Sequence, residues 1–275
     1  MTVFRAIWIV TAVLAITALV LPFHALAMAF RVPLRKRSAR FWHRMVARAM
    51  GMRITVIGHP HTCDEYGTLY ASNHISWVDI IVLGSIMPVH FIAKGEVKSW
   101  PVFGWLARLQ DTVFVERERR STAGAQANVI RERLAIGDNL VLFPEGTTSD
   151  GNFAYPFKSS LFGAVATHKT GEHIPVQPVA IAYTGLRGMP MGRRWRPVAS
   201  WPGTITMGEH LPRVLREGVF DVQVRFGDVI EDAQMRDRKS LCADVECSVR
   251  QMLASGLRGE PVPSNARPKA LSAAK

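Results

Sequence analysis

An α/β domain with a mostly parallel sheet flanked by helices, set behind an N-terminal membrane-anchoring helix, is the architecture the sequence predicts. Three observations predict it. From Arg53 onward, strand-like apolar runs alternate with helix-like stretches, the order that produces parallel sheets. No charged residue occurs between Ala6 and Phe30, and a helix of that length covers the roughly 30 Å hydrocarbon core of a bilayer. A dense basic block follows that run at once.

Composition is consistent with this layout. The 275 residues are 48% hydrophobic, enough for one large domain plus an anchor. Lys and Arg number 34 against 22 Asp and Glu, a net charge of +12 that favours nucleic acid, anionic lipid or a phosphorylated substrate as partner. Cys63, Cys242 and Cys247 are odd in number and form no CxxC, so the expected compartment is a reducing one.

Residues 1–30 form the expected membrane anchor. Pro22 and His24 interrupt its second half, which allows a kinked or partly inserted helix. Ala25-Leu26-Ala27 also looks like the cleavage site of a signal peptide. Against cleavage stand Arg31, Arg35, Lys36, Arg37, Arg40, Arg44, Arg48 and Arg53, because a basic block of this kind stays on the cytoplasmic side. The expected location is therefore the inner (cytoplasmic) membrane, with the folded domain on its cytoplasmic face. Residues 31–52 read as a basic amphipathic interfacial helix. Arg37, Arg40, Arg44 and Arg48 step by three or four beside Phe41, Trp42, Met45 and Val46, which suits an anionic membrane surface. Nucleic acid is set aside as a partner, because the block adjoins a hydrophobic anchor.

Residues 53–255 carry the globular pattern. Strand-like runs fall at Ile54–Ile57, Thr68–Ser72, Val89–Ala93, Thr112–Val115, Leu140–Phe143, Val176–Tyr183 and Val222–Phe226. Helices are expected over Ile75–Ile86, after Ser121 with Ala123, Ala127, Ile130 and Leu134 on one face, and over Lys158–His168. Leu241, Val245, Val249 and Met252 mark a last amphipathic helix, and residues 256–275 lack apolar period and read as a loose tail.

The stretch NHISWVD, Asn73 to Asp79, lies between a buried strand and a buried helix, where open α/β sheets place chemistry. His74 and Asp79 can meet only if His74 precedes the first helical turn and Asp79 lies inside it. They would then act as a base and its orienter, the carboxylate holding one ring nitrogen and leaving the other free for a proton. Ser76-x-x-Asp79 also matches a capping box, which requires no catalysis.

Three further strands end in polar clusters: Lys94 and Glu96; Glu116 through Arg120; and Glu145 through Ser149. In a parallel sheet these ends share an edge, so His74, Lys94, Arg117 and Glu145 would face one cleft. Arg117 supplies a forked phosphate donor, Gly146 allows close backbone approach, and Thr147 and Ser149 add hydroxyls. A surface ion pair for Arg117 and a plain turn at Gly146 are the ordinary alternatives. His59, His61, Cys63 and Asp64 crowd a Pro-containing turn, and no metal is expected there. The Gly185–Trp201 stretch mixes Arg with Trp and Met, as either a surface loop or a lipid or phosphate contact.

Taken together, His74-x4-Asp79, Phe114-Val-Glu-Arg117, Phe143-Pro-Glu-Gly-Thr147 and Ile174-Pro-Val-Gln-Pro178 resemble the ordered blocks of the glycerolipid acyltransferases, over about residues 70 to 180. The resemblance implies membrane association and a thioester donor, acyl-CoA or acyl carrier protein, with no cofactor. It implies His74 as base, Asp79 as its partner, and Arg117, Glu145 and Gly146 in acceptor binding. The acceptor so implied is the sn-2 hydroxyl of 1-acyl-glycerol-3-phosphate, giving phosphatidic acid. Two positions depart from the pattern. Asp111 stands where the second block begins with Gly, and Thr148 replaces the Arg of a frequent EGTRS. Losing that cation weakens the case for a phosphate and makes lyso-ornithine lipid the alternative acceptor. A non-catalytic basic protein on anionic lipid explains the charge but leaves HISWVD and FPEGTTS without a role. A metallohydrolase built on His59, His61 and Asp64 would be sensitive to chelators.

Overall fold

The computed structural model describes residues 2–30, 32, 34–63, 65–116, 123–166, 174–231, 233, 236–260 and 269–270. Two helices, α1 (Thr2–Ala29) and α2 (Leu34–Ala49), lead into β1 (Arg53–Ile57), β2 (Leu69–Ser72), α3 (Val78–Ile86) and β3 (His90–Lys94). A 3₁₀ turn (Gly95–Ser99), α4 (Phe103–Leu109), β4 (Val113–Val115), α5 (Ala123–Ala135) and β5 (Leu140–Leu142) follow. The remainder comprises β6 (Val176–Leu186), β7 (Met189–Pro190), α6 (Met207–Glu217), β8 (Phe220–Phe226), α7 (Arg238–Arg258) and β9 (Lys269–Ala270).

The strands form one sheet in the order β4-β3-β5-β2-β6-β8-β1-β9, with β7 on β6. Pairs β2–β5, β2–β6, β3–β4, β3–β5 and β1–β8 are parallel; β6–β8, β6–β7 and β1–β9 are antiparallel. The sheet is thus mostly parallel, and the carboxyl ends of β2, β3, β4 and β5 lie along one edge. Its central strands are continuous apolar runs because both faces are covered. On one face Val46, Val78, Val82, Leu83, Phe143, Ile181, Tyr183 and Phe220 pack beneath α2, α3 and α6. On the other, Ile130, Leu134, Phe162, Val176, Leu241, Val245 and Val249 pack beneath α5 and α7.

Helix α1 is apolar over Val3–Ala29, and most of it faces outward, with Phe4, Trp8, Leu14, Phe23 and Leu26 exposed. It is nevertheless fastened to the domain at both ends. The Arg5 guanidinium donates to the carbonyls of Met50 (2.7 Å), Gly218 (2.9 Å) and Leu215. His24 pairs through Nε2 with the Leu109 carbonyl and through Nδ1 with the Ser38 hydroxyl, both at 2.8 Å. The basic block is partly turned inward as well. Lys36 reaches the buried Asp138 at 2.7 Å and Arg35 reaches Asp111 at 3.0 Å. Burial alone would raise the Asp138 carboxyl, but His90, Lys36 and Arg133 outweigh it and hold that group well below the carboxylate range.

Three local expectations change. Helix α3 starts at Val78 instead of Ile75, because Ile75 and Ser76 give their N–H groups to the Asp79 side chain. The segment expected as a helix over Lys158–His168 forms only a 3₁₀ turn, Ser159–Phe162; two serines and Gly163 are poor helix formers, and residues 167 and 168 lie outside the described set. Only half of the Ser76-x-x-Asp79 capping box is built: Asp79 accepts the Ser76 N–H at 2.9 Å, while the Ser76 hydroxyl has no partner among the described residues.

Asp111, at the position where a glycine was expected, adopts φ +57°. That left-handed conformation is the one glycine takes without strain, and Asp is among the few other residues that tolerate it. Its carboxylate then bonds Arg35 and Arg133 (3.3 Å), linking α2 to α5.

Candidate active site

The site is built on the loop after β2. His74 lies before the first turn of α3 and Asp79 lies inside it, so the pair can close. The ring Nδ1 of His74 is 2.9 Å from Asp79 Oδ2. The same oxygen accepts the N–H groups of Ile75 (2.7 Å) and Ser76 (2.9 Å), and Oδ1 accepts the Tyr183 hydroxyl at 2.8 Å. Asp79 is fully buried and, among the described residues, His74 is the basic side chain that touches it. Burial first, and then Asp79, pushes the Tyr183 hydroxyl well above its ordinary range, which keeps it a donor.

The imidazole is held flat as well as tethered. It stacks on Phe143 at the end of β5, centroids 4.0 Å apart and planes 15° apart, and Phe143 stacks in turn on Phe91. Its Nε2 has no partner among the described residues, and His74 lines a cleft of about 800 Å³.

Glu145, from the FPEGTTS loop, braces the His74 loop from behind. It is buried, and its oxygens accept the N–H of His74 (2.6 Å) and of Tyr155 (2.7 Å). Burial pushes its carboxyl up to about 8, with Asp79 adding to the rise and the two N–H groups opposing it. The Ser149 N–H closes the same junction on the His74 carbonyl at 2.8 Å. Gly146 (φ +72°) and Thr147 line the cleft. Lys94 lies exposed at the end of β3 on the cleft wall. Arg117 falls outside the described residues.

The rest of the cleft is apolar. Val10, Val13, Leu14 and Leu21 of α1 face it from one side, and Trp100, Val102, Phe103 and Leu106 at the start of α4 from another. Such a lining fits a fatty chain.

Several contributors escaped the sequence reading. Tyr183 lies 104 residues from Asp79 and has no local signal. Trp201, at the end of the Gly185–Trp201 stretch, donates its N–H to the Ile75 carbonyl (2.8 Å) and accepts the Thr148 hydroxyl on its own carbonyl. That stretch is therefore a clamp on the site and not only a surface loop. Trp77 reaches His210 of α6 at 3.1 Å. In the GHPHTCDE turn, His61 hydrogen-bonds Thr68 and Gln177, and Asp64 lies outside the described residues.

Comparisons with known proteins show the family. A protein-family model, Acyltransferase, matches residues 53–182. A lyso-ornithine lipid O-acyltransferase of Brucella abortus is 47% identical over 94% of this chain and 97% of its own length. A 1-acyl-sn-glycerol-3-phosphate acyltransferase of Neisseria gonorrhoeae is 33% identical over 72% of this chain and 74% of its own. Among solved structures, the 1-acyl-sn-glycerophosphate acyltransferase PlsC of Thermotoga maritima superposes with a TM-score of 0.60 over 96% of this chain and all of that one, at 21% identity, a likeness of fold. The chain belongs to the acyltransferase family.

Proposed function

We propose that the protein moves a fatty acyl group from a thioester to the hydroxyl of a lyso-ornithine lipid, working at a membrane. The observation that carries acyl transfer is the His74–Asp79 pair opening on an apolar cleft. The acceptor follows from the relatives: the lyso-ornithine lipid enzyme matches nearly the whole chain at 47%, the glycerophosphate enzyme less of it at 33%. This reverses the order expected from the motifs alone, in which lysophosphatidate came first. Thr148 agrees with the reversal, because its hydroxyl is committed to the Trp201 carbonyl and brings no cation to a phosphate.

In this reading His74 Nε2 takes the proton from the acceptor hydroxyl as its oxygen attacks the thioester carbonyl. The C–O bond forms, the tetrahedral intermediate collapses with loss of the C–S bond, and the thiolate recovers the proton from the imidazolium. Asp79 holds Nδ1–H and offsets the positive charge while it lasts. No acyl-enzyme is needed, since the thioester is already activated. Cys63, Cys242 and Cys247 do not line the cleft, which fits direct transfer. Acyl-CoA and acyl carrier protein both supply the required thioester. The basic block supports a location on the cytoplasmic face of the inner membrane, with α1 embedded and the exposed arginines of α2 toward anionic lipid.

The test is purified protein with a thioester donor and a panel of lysolipids, products read by mass spectrometry, beside His74→Ala. Acylated ornithine lipid from the wild type and a loss of roughly 10²-fold or more in the variant are expected. Unchanged turnover in His74→Ala would refute the base.

A further inference from the structure

Between Thr184 and Gly208 the chain holds four arginines, Arg187, Arg193, Arg194 and Arg196, and no acidic residue. This stretch projects from the catalytic edge of the sheet. Strand β6 draws level with the end of β2 where Val179 pairs with Ser72, and it then runs on to Leu186. At about 3.3 Å per residue the extension carries the strand roughly 20 Å past that point. A turn at Arg187 (φ +54°) and Gly188 (φ +81°) reverses the chain into β7. The segment returns to the site at Trp201, whose N–H meets the Ile75 carbonyl.

The excursion is apolar as well as basic. Met189 is 70% exposed and Trp195 54%. Arg193 and Arg194 are exposed and form no ion pair among the described residues, whereas Arg196 is committed to Asn152 at 2.7 Å. The hairpin also adjoins the start of α1. Arg187 donates to the Glu217 carbonyl (3.3 Å), and Arg5 donates to the carbonyls of Leu215 and Gly218 (2.9 Å), so both guanidiniums cap the same end of α6. Phe4 and Trp8, 79% and 65% exposed, flank Arg5 on α1. The outward apolar face of α1 thus continues into the β6–β7 hairpin.

Exposed Trp and Met beside unpaired arginines match the boundary of an anionic bilayer. There an aromatic ring rests at head-group depth and each cation lies against lipid phosphate. An acidic carrier protein would satisfy the arginines but not the apolar surface that runs on into α1. Resting on the reaction at a membrane assigned above, we propose that Met189, Arg193, Arg194 and Trp195 form a second contact with an anionic bilayer. This contact turns the catalytic edge toward the lipid, so that the acceptor enters the cleft from the bilayer.

The experiment uses the full chain reconstituted in vesicles of phosphatidylcholine, alone or mixed with phosphatidylglycerol. The variants are Trp195→Phe and the double change Arg193→Gln with Arg194→Gln. Placement is read without turnover: the difference in quenching by brominated lipid between the wild type and Trp195→Phe isolates Trp195. Trp195 is expected to be quenched in mixed vesicles, and the double variant should lose that quenching. An unquenched Trp195 would overturn the contact. In turnover, the double variant should raise KM for lyso-ornithine lipid roughly tenfold in mixed vesicles, keep kcat, and match the wild type in neutral ones. Added salt should shrink that difference. Equal KM values in mixed vesicles would overturn the role of the arginines. Both acyl-CoA and acyl carrier protein serve as donor; a loss confined to the carrier protein, in both kinds of vesicle, would overturn the membrane contact and assign the arginines to the donor. A wild type that ignores lyso-ornithine lipid while Trp195 is still quenched would sink the acceptor assignment and leave the contact standing.

Discussion

Replacing Asp79 with Asn keeps the shape of the side chain and removes its charge. In the folded protein the carboxylate accepts four hydrogen bonds, three on Oδ2 from His74, Ile75 and Ser76 and one on Oδ1 from Tyr183. An asparagine carbonyl can retain the three, and the Tyr183 hydroxyl can rotate to accept from the new amide. The fold then loses only the ionic part of these bonds, about 1–2 kcal/mol. The reaction loses more. The bond from a protonated His74 to a charged acceptor contributes roughly 1.5–3 kcal/mol. At about 1.36 kcal/mol per tenfold in rate, its loss lowers kcat roughly 10- to 200-fold. The assay is kcat at saturating lyso-ornithine lipid and thioester, run beside thermal unfolding in the same detergent. A variant that keeps more than half of its kcat while unfolding several degrees lower would refute the reasoning and leave Asp79 as the tether of a helix start.

Three further outcomes follow from the same geometry. Glu145 is raised to about 8 from an ordinary 4.5, so the unfolded chain releases this proton first; the stabilisation it carries is full below about 4.5 and is lost as pH rises through about 8. The thermal unfolding temperature should therefore fall between pH 5 and 8, and Glu145→Gln should flatten that slope; an equal slope in the variant would exclude Glu145 as its source. A Cβ on Gly84 would meet the buried His43 ring at 2.5 Å, so Gly84→Ala should push α2 from α3 and cost about 1–3 kcal/mol, and wild-type stability in that variant would contradict the contact. Thr148→Arg breaks the bond to the Trp201 carbonyl and adds a cation near the head group, so it should raise KM for lyso-ornithine lipid; an improved KM would favour a phosphate-bearing acceptor.

The strands themselves were legible because β2, β5 and β6 are buried on both faces and read as unbroken apolar runs between polar ends, whereas their order in the sheet was not. Those polar ends place His74, Lys94 and Glu145 on one edge from sequence alone, since parallel strands end on the same side of the sheet. Helix α6 was missed although Met207, Leu211, Val214 and Leu215 step at helical spacing, because Pro212 sits inside it and charged residues interrupt the apolar set. Helix α4 is seven residues long and too short for its period to show. Tyr183 and Trp201 reach the site through tertiary packing, and nothing adjacent to either in the chain signals it. Asp111 was visible as a departure from pattern, but its reason, a left-handed turn joined to Arg35 and Arg133, needed the backbone.

The most direct measurement is a competition. Equal amounts of lyso-ornithine lipid and lysophosphatidate in one micelle population, with the purified chain and a limiting thioester, give a product ratio by mass spectrometry that depends only on relative kcat/KM. The account predicts acylated ornithine lipid in at least tenfold excess. Phosphatidic acid as the main product would contradict it.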